Sequence, residues 1–134
     1  MDVTRQVMSD MFITFFNDMI AIFKNASATL AQLEASTQAL LGVIDDLDQL
    51  LNTNEHFLLG RWIQSARNWG SSAQESDWLE FNARNQVTLW GPDGEINDYA
   101  SKQWAGLVGV YYKQRWTIFA DALISAKQAG QVRN

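Results

Sequence analysis

The sequence predicts an all-α fold, a bundle of about five helices with one irregular Trp-Gly-Pro loop between the last two. Apolar residues recur at spacings of three and four over most of the chain, which is the period of a helix that buries one face. The only proline among the 134 residues, Pro92, lies between two stretches with this helical period. Because 47% of the residues are hydrophobic, we expect residues 1–134 to form one helical domain with a hydrophobic core.

The first two helices are predicted over residues 3–24 and 28–51. The apolar face of the first comprises Val7, Met8, Met11, Phe12, Phe15, Phe16, Met19, Ile20 and Phe23. The apolar face of the second comprises Leu30, Leu33, Thr37, Leu40, Ile44, Leu47 and Leu51. The break at residues 25–27 is short, so we expect the two helices to pack as an antiparallel hairpin.

The third and fourth helices are predicted over residues 55–69 and 72–88. We expect Gly70 to end the third in the left-handed conformation, which costs glycine little. Ser72 and Glu75 have the spacing of a capping box, which predicts the start of the fourth helix. The pattern assigns three residues of the fourth helix to the core: Trp78, Leu79 and Phe81.

The fifth helix is predicted to begin at Asn97 or Asp98, either of which can cap it, and to run to residue 129. Its apolar stripe comprises Trp104, Leu107, Val108, Tyr111, Ile118, Phe119, Ala122 and Leu123. Gly106 and Gly109 interrupt the stripe, and each glycine in a helix costs about 1 kcal/mol relative to alanine. We therefore expect another helix to approach closely at these glycines.

The composition excludes several classes of function. A net charge of −5 argues against a nucleic-acid partner, which needs a clustered basic face. No apolar run approaches the ~18 residues of a membrane span. The chain has no cysteine and one histidine, His56, so neither a thiolate site nor a zinc site is indicated, and we expect no cofactor. On a helix Asp45, Asp46 and Asp48 point in different directions, which favours a solvated acidic face over a metal cluster.

The pattern predicts that the chain is organised around the loop at residues 85–99, which the two flanking helices hold between them. Pro92 suits the second position of a turn, and Asp93-Gly94 suits the tight return of the chain. The tryptophan of this loop, Trp90, has two interpretations. It is either a core residue at the end of a helix, or an exposed platform that stacks on the apolar face of a sugar ring.

The charged residues near the loop also have two interpretations. Asp93, Glu95 and Asp98 can accept hydrogen bonds from sugar hydroxyls, but their positions in a turn and at a helix start argue against a self-contained pair of catalytic carboxylates. Arg84 and Arg115 are either ordinary surface residues or hold the loop through a carboxylate or a carbonyl.

Residues 82–116 resemble a known family. The matching positions are Asn82-x-Arg84-x-Gln86-x-Thr88-Leu89-Trp90-Gly91-Pro92-x-Gly94-x-Ile96-x-Asp98-Tyr99-Ala100, then Lys102-Gln103, Ala105-Gly106-Leu107-Val108 and Tyr111-Tyr112-x-x-Arg115-Trp116. Phe57-Leu58-Leu59-Gly60-Arg61-Trp62 matches as well. These stretches resemble the all-helical C-terminal domain of α-N-acetylglucosaminidase, glycoside hydrolase family 89, and the resemblance covers nearly the whole chain.

The resemblance implies a parent enzyme with a small α/β domain, a catalytic (β/α)8 barrel and this bundle. Such an enzyme is a retaining exo-glycosidase that releases terminal α-linked N-acetylglucosamine, with both catalytic glutamates in the barrel. The partners so implied are the barrel domain of the same polypeptide and a glycan that ends in N-acetylglucosamine. The implied location is lysosomal in animals and periplasmic or secreted in bacteria.

The resemblance also implies roles for eight residues of this chain. Trp90, Ile96 and Tyr99 would line the sugar pocket. The shape of the loop would be set by Arg84, Gly91, Pro92, Asp98 and Arg115. No catalytic residue is assigned, so we expect this chain to be a fragment of a larger glycosidase and to be inactive alone.

Two other functions are compatible with the residues. A free-standing helical module could dock a protein partner through its aromatic loop, and would then retain that partner in a binding experiment. An isolated carbohydrate-binding module would need measurable affinity for sugar without a barrel, although one wall of a pocket rarely buries enough ligand surface for that.

Overall fold

A computed structural model of the chain describes residues 1–131. The helices are α1 (Asp2–Lys24), α2 (Leu30–Asn52), α3 (Leu59–Arg67), α4 (Ala73–Val87) and α5 (Lys113–Gln128), with a 3-10 turn at Glu55–Phe57 and a π-helical segment at Leu107–Tyr112. Two short strands, β1 (Leu89–Trp90) and β2 (Ile96–Asn97), pair between α4 and the π-helical segment. The predicted all-α bundle is confirmed. The small hairpin was not predicted.

Helices α1 and α2 form the predicted antiparallel pair. Met19, near the end of α1, packs with Leu33, near the start of α2, and Met8 packs against the cluster that contains Leu51. The six apolar-face positions of α2 from Leu33 onward are all buried, as predicted. Helix α2 begins two residues later than predicted because Thr29 and Gln32 form a reciprocal capping box.

The predicted third helix is broken into two pieces. Between the 3-10 turn and α3, Leu58 forms an isolated parallel bridge with Ala105. The Ala105 amide donates to the Phe57 carbonyl at 2.7 Å, and the Leu59 amide donates to the Ala105 carbonyl at 3.1 Å. These backbone groups bond to a distant part of the chain, so they are not available to a continuous helix.

Gly70 does not adopt the expected left-handed conformation. A Cβ atom at this position would lie 2.4 Å from the Ser76 hydroxyl oxygen. That hydroxyl donates to the Arg67 carbonyl at 3.0 Å and so joins the end of α3 to α4. Glycine is therefore required at this turn by close packing, and its freedom at positive φ is not used.

Helix α4 buries a different face from the one predicted. Ala83 and Val87 are buried, whereas Trp78 and Phe81 are 62% and 58% exposed. The buried face packs on α3, where the Trp62 indole donates to the Ala83 carbonyl at 2.9 Å. The assignment of Trp78 and Phe81 to the core was wrong, because hydrophobicity alone did not reveal which face meets α3.

The fifth helix begins about ten residues later than predicted. Asp98 has φ +57° and Ser101 has φ +45°, so neither residue can lie in a right-handed helix. The helical segment starts after Gly106, whose φ is +85°. Leu107 and Val108 are buried as predicted. Four predicted members of the stripe behave otherwise, since Ile118, Phe119 and Ala122 are exposed and Trp104 precedes the helix.

The core consists of two clusters that share Phe12 and Trp116. One is built from Ile44, Leu47, Leu51, Ala105 and Val108. The other is built from Met19, Leu33 and Leu40. The rings of Phe12 and Trp116 meet edge to face with centroids 4.9 Å apart, which joins α1 to α5. Across residues 1–131 we find no helix with the length and apolar character needed to cross a bilayer.

Candidate functional site

The loop is a tight antiparallel hairpin. Leu89 pairs with Asn97 and Trp90 pairs with Ile96. The turn runs from Gly91 to Gly94, and the Gly94 amide donates to the Gly91 carbonyl at 3.3 Å. Pro92 therefore occupies the second position of the turn, as the sequence predicts. Gly91 and Gly94 have φ values of +108° and +72°, which other residues adopt only with strain.

The structure brings the three predicted sugar-binding residues together at the surface. Trp90 and Ile96 are direct cross-strand partners. The Tyr99 ring lies against the Trp90 indole, with centroids 4.5 Å apart and the ring planes at 58°. Trp90, Ile96 and Tyr99 are 38%, 46% and 65% exposed. We call these three residues the aromatic wall; it is an apolar surface with one phenolic hydroxyl.

Asp98 connects the aromatic wall to α5. Its amide donates to the Thr88 carbonyl at 2.9 Å, and its carboxylate oxygen Oδ2 accepts a hydrogen bond from Arg115. The Arg115 guanidinium also lies over the Tyr111 ring, 5.5 Å from its centroid. The hydrogen bond to Asp98 raises the pKa of Arg115, so this cation stays charged. Asp98 does not cap a helix, contrary to one prediction.

The turn of the hairpin is braced by Glu95 and Asn85. The Glu95 carboxylate accepts a hydrogen bond from the Asp93 amide at 3.3 Å, and the Asn85 side chain donates to the Gly91 carbonyl at 3.4 Å. A Cβ atom at Gly91 would lie 2.1 Å from the Glu95 carboxylate. Glu95 therefore shapes the loop, and Asn85, near the end of α4, helps to brace it.

The other predicted support, Arg84, is directed away from the hairpin tip. Its guanidinium donates to Glu80, one turn back on α4, at 2.7 Å. Glu80 also accepts a hydrogen bond from Arg67 at 2.6 Å, and the two arginines together lower the pKa of Glu80, with Arg67 the larger cause. Arg84 meets the loop through its backbone, since its carbonyl accepts a hydrogen bond from the Thr88 hydroxyl at 2.8 Å.

Among the three clustered aspartates of α2, the prediction of a solvated acidic face was wrong for Asp48, which has structural partners. Asp48 accepts hydrogen bonds from the amides of Gly106 and Gly109, at 2.8 and 2.7 Å. Asp45 pairs with Lys113 at 2.7 Å. Asp46 is exposed. Within residues 1–131 there is no group of three or more His, Cys, Asp or Glu side chains that could hold a metal ion.

Two concave surfaces adjoin the hairpin. A cavity of about 750 Å³ lies behind it and is lined by Asp98, Tyr112 and Arg115 and by apolar side chains that include Phe12 and Trp116. Burial raises the pKa of Tyr112 to about 12. A groove of about 870 Å³ runs between α4 and the hairpin, and Trp90 is one of its lining residues.

Fold and site together define an all-α domain with an exposed aromatic hairpin. The family model described as the α-N-acetylglucosaminidase (NAGLU) C-terminal domain matches residues 1–134. The chain belongs to this family.

Named relatives agree with this assignment. The chain is 38% identical over 131 residues to human α-N-acetylglucosaminidase, which covers 97% of this chain and 17% of the human protein. A family 89 glycoside hydrolase from Clostridium perfringens, solved with 2-acetamido-1,2-dideoxynojirmycin, superposes with a TM-score of 0.85 at 29% identity, over 96% of this chain and 15% of that one. A variant of the clostridial enzyme solved with its substrate, GlcNAc-α-1,4-galactose, gives the same TM-score, identity and coverage. The chain thus spans about one sixth of the length of these relatives.

Proposed function

We propose that this chain is the C-terminal helical domain of an exo-acting α-N-acetylglucosaminidase, and that its aromatic wall closes one side of the pocket for the terminal sugar. The observation that carries the proposal is the exposed cluster of Trp90, Ile96 and Tyr99 in a chain of this family. Its partners are a barrel domain of the same polypeptide and a glycan that ends in N-acetylglucosamine.

The chemistry of the aromatic wall suits a sugar. An indole face packs against the C–H face of a pyranose, while a phenolic hydroxyl can donate to or accept from the sugar's polar groups. Ile96 extends the apolar surface beside Trp90. The Asp98–Arg115 pair and the Gly91–Gly94 turn hold this surface in one shape before the ligand arrives, which reduces the entropic cost of binding.

The proposal assigns catalysis to the barrel domain. Two carboxylates of the hairpin region are already engaged, since Glu95 accepts from the Asp93 amide and Asp98 accepts from Arg115. A retaining glycosidase needs two carboxyl groups about 5–5.5 Å apart, one of them protonated. The Asp98 carboxylate is held by Arg115 and is not free to approach a leaving group.

The test is Trp90→Ala in the polypeptide encoded by the complete gene, assayed with an aryl α-N-acetylglucosaminide. Loss of one wall of the pocket leaves the sugar poorly positioned, so we expect kcat/KM to fall by about 100-fold. Because Trp90 is 38% exposed, the melting temperature should change by only a few degrees. The matched control is Trp69→Ala, since Trp69 is 83% exposed and lies beyond α3, outside the hairpin.

Two results would contradict the proposal. If activity and melting temperature fell together, Trp90 would be a core residue. If activity stayed at the wild-type level, the sugar pocket would be elsewhere. The inactivity of this domain by itself is tested with the purified chain, and hydrolysis of the aryl substrate by that chain would falsify it.

A further inference from the structure

The groove between α4 and the hairpin is lined by aromatic and amide side chains, most of which lie outside the aromatic wall. Its side chains include Trp78, Phe81, Asn82, Asn85, Gln86 and Trp90. The first five lie at spacings of three and four on α4, so they form one continuous face of the helix. This face is opposite to the one that packs on α3. We call it the α4 groove face.

Two aromatic rings of the α4 groove face are in contact with each other. Trp78 and Phe81 are stacked, with centroids 5.5 Å apart and ring planes at 19°. They are 62% and 58% exposed. Two large rings left together at the surface mark a binding site, because their burial would remove much apolar area from water. Because the two rings stack on each other, a ligand can reach the ring faces that point away from the pair, and the ring edges.

Three amide side chains line the groove beside these rings. Asn82 donates through its Nδ2 to the Trp78 carbonyl at 3.0 Å, which leaves its side-chain oxygen as an acceptor. Gln86 is exposed, so its side-chain amide can reach a ligand in the groove. An aromatic platform with amide donors and acceptors along its edge is the combination that binds sugars, since stacking holds the ring face and amides reach the hydroxyls.

The charge of the groove limits the type of sugar. Asp93 is the one charged residue among those that line it, and it is negative. Sulfate groups are recognised by arginine and lysine, which are missing from the lining described here. The groove therefore favours an uncharged glycan over a sulfated one.

The groove lies directly beside the aromatic wall. Trp90 belongs both to the aromatic wall and to the groove, so the two surfaces are continuous. A glycan whose terminal sugar contacts the aromatic wall has further sugars on its other side, as does the disaccharide substrate bound by the clostridial relative. We infer that the α4 groove face binds uncharged sugar units beyond the terminal residue, with Trp78 and Phe81 as the stacking platform. This inference rests on the proposed function.

The experiment compares substrates of different length in the polypeptide encoded by the complete gene. The substrates are an aryl α-N-acetylglucosaminide, which has no further sugar, an uncharged oligosaccharide with several sugars beyond the terminal N-acetylglucosamine, and a sulfated form of the same oligosaccharide. The variants are Trp78→Ala and Phe81→Ala, with Trp69→Ala as the exposed control outside the groove.

We expect each groove variant to raise KM for the uncharged oligosaccharide by about tenfold, equivalent to ~1.4 kcal/mol of binding. The kcat for this substrate should stay the same, because the groove lies away from the terminal sugar. KM for the aryl substrate should stay close to wild type. The wild-type protein should prefer the uncharged oligosaccharide over the sulfated one, because Asp93 is the one charged residue among those that line the groove.

The outcomes separate the two proposals. A wild-type protein that does not cleave even the aryl substrate overturns the proposed function and this inference with it. If both groove variants cleave the aryl substrate normally and show an unchanged KM for the oligosaccharide, the result overturns only the inference that the groove binds sugar. An equal loss on the aryl substrate and the oligosaccharide would also overturn it, because the residues would then act through the fold or the pocket.

Discussion

At the scale of single residues, Asp98 has two structural tasks. Its backbone lies at φ +57°, in the left-handed region that asparagine and aspartate tolerate better than other side chains. Its carboxylate binds Arg115, and its Oδ1 atom is buried without a hydrogen-bond partner inside residues 1–131. Because Tyr99 follows directly, the conformation of Asp98 determines where the Tyr99 ring lies against Trp90.

The two tasks of Asp98 can be separated by two substitutions. Asp98→Asn keeps the tolerance for positive φ but removes the charge, and because the ion pair is partly exposed we expect a loss of about 1 kcal/mol of stability or less. Asp98→Ala adds the backbone cost of a left-handed residue, about 1 kcal/mol more. Unfolding in urea should therefore rank wild type above Asp98→Asn and Asp98→Ala last. Equal stability of the two variants would show that the backbone conformation contributes nothing.

At the scale of the elements, α2 provides the cap for the last helical segment. The first amides of a helix lack partners within it, and Asp48 on α2 accepts hydrogen bonds from two of them, Gly106 and Gly109. A Cβ atom at Gly109 would lie 2.6 Å from the Asp48 carboxyl carbon. The close approach that we predicted at these glycines is therefore made by a carboxylate, and not by a helix backbone.

Removal of this cap should destabilise the protein. Asp48→Ala leaves the two amides without an acceptor, so we expect a loss of about 2 kcal/mol in the free energy of unfolding. The matched control is Asp46→Ala, an exposed aspartate on the same helix, which should stay within about 0.5 kcal/mol of wild type. The measurement is the urea midpoint at constant m-value. Similar losses in both variants would assign the effect to the charge of α2.

The elements differ in how far the sequence predicts them. Helix α2 follows its periodicity because its buried face packs against α1, α5 and the π-helical segment. The start of the fifth helix was not predictable from spacing, since it depends on a bridge between Leu58 and Ala105 and on a carboxylate almost sixty residues earlier. In the same way, the exposure of Trp78 follows from which face of α4 meets α3.

The hairpin, too, was predictable from the sequence only in part. Its turn was predictable from Pro92 and Gly94, because local chemistry determines a turn. The pairing of Trp90 with Ile96 and the contact between Trp90 and Tyr99 follow from the register, which the sequence did not specify. The sugar-binding role of Ile96 and Tyr99 was implied only by the family resemblance, whereas for Trp90 the residues themselves left a sugar platform and a core position as alternatives.

At the scale of the whole molecule, the two core clusters share Phe12 and Trp116 and should unfold together. Tyr112 packs against one cluster and lines the cavity behind the hairpin. Burial, followed by the charge of Asp98, raises its pKa from 10.0 to about 12. The folded state therefore holds a proton on Tyr112 over a pH range in which the unfolded state has lost it.

This difference links global stability to pH. A pKa that is raised on folding contributes stability that is fully present below pH 10 and is lost as the pH rises through about 12. We expect the urea midpoint of the wild-type protein to fall between these two pH values more steeply than that of Tyr112→Phe, which has no hydroxyl to ionise. The comparison of the two proteins cancels the titration of the other groups. If the two pH profiles were parallel, the Tyr112 hydroxyl would be solvated in the folded protein. The cavity behind the hairpin would then be open to water beside that hydroxyl.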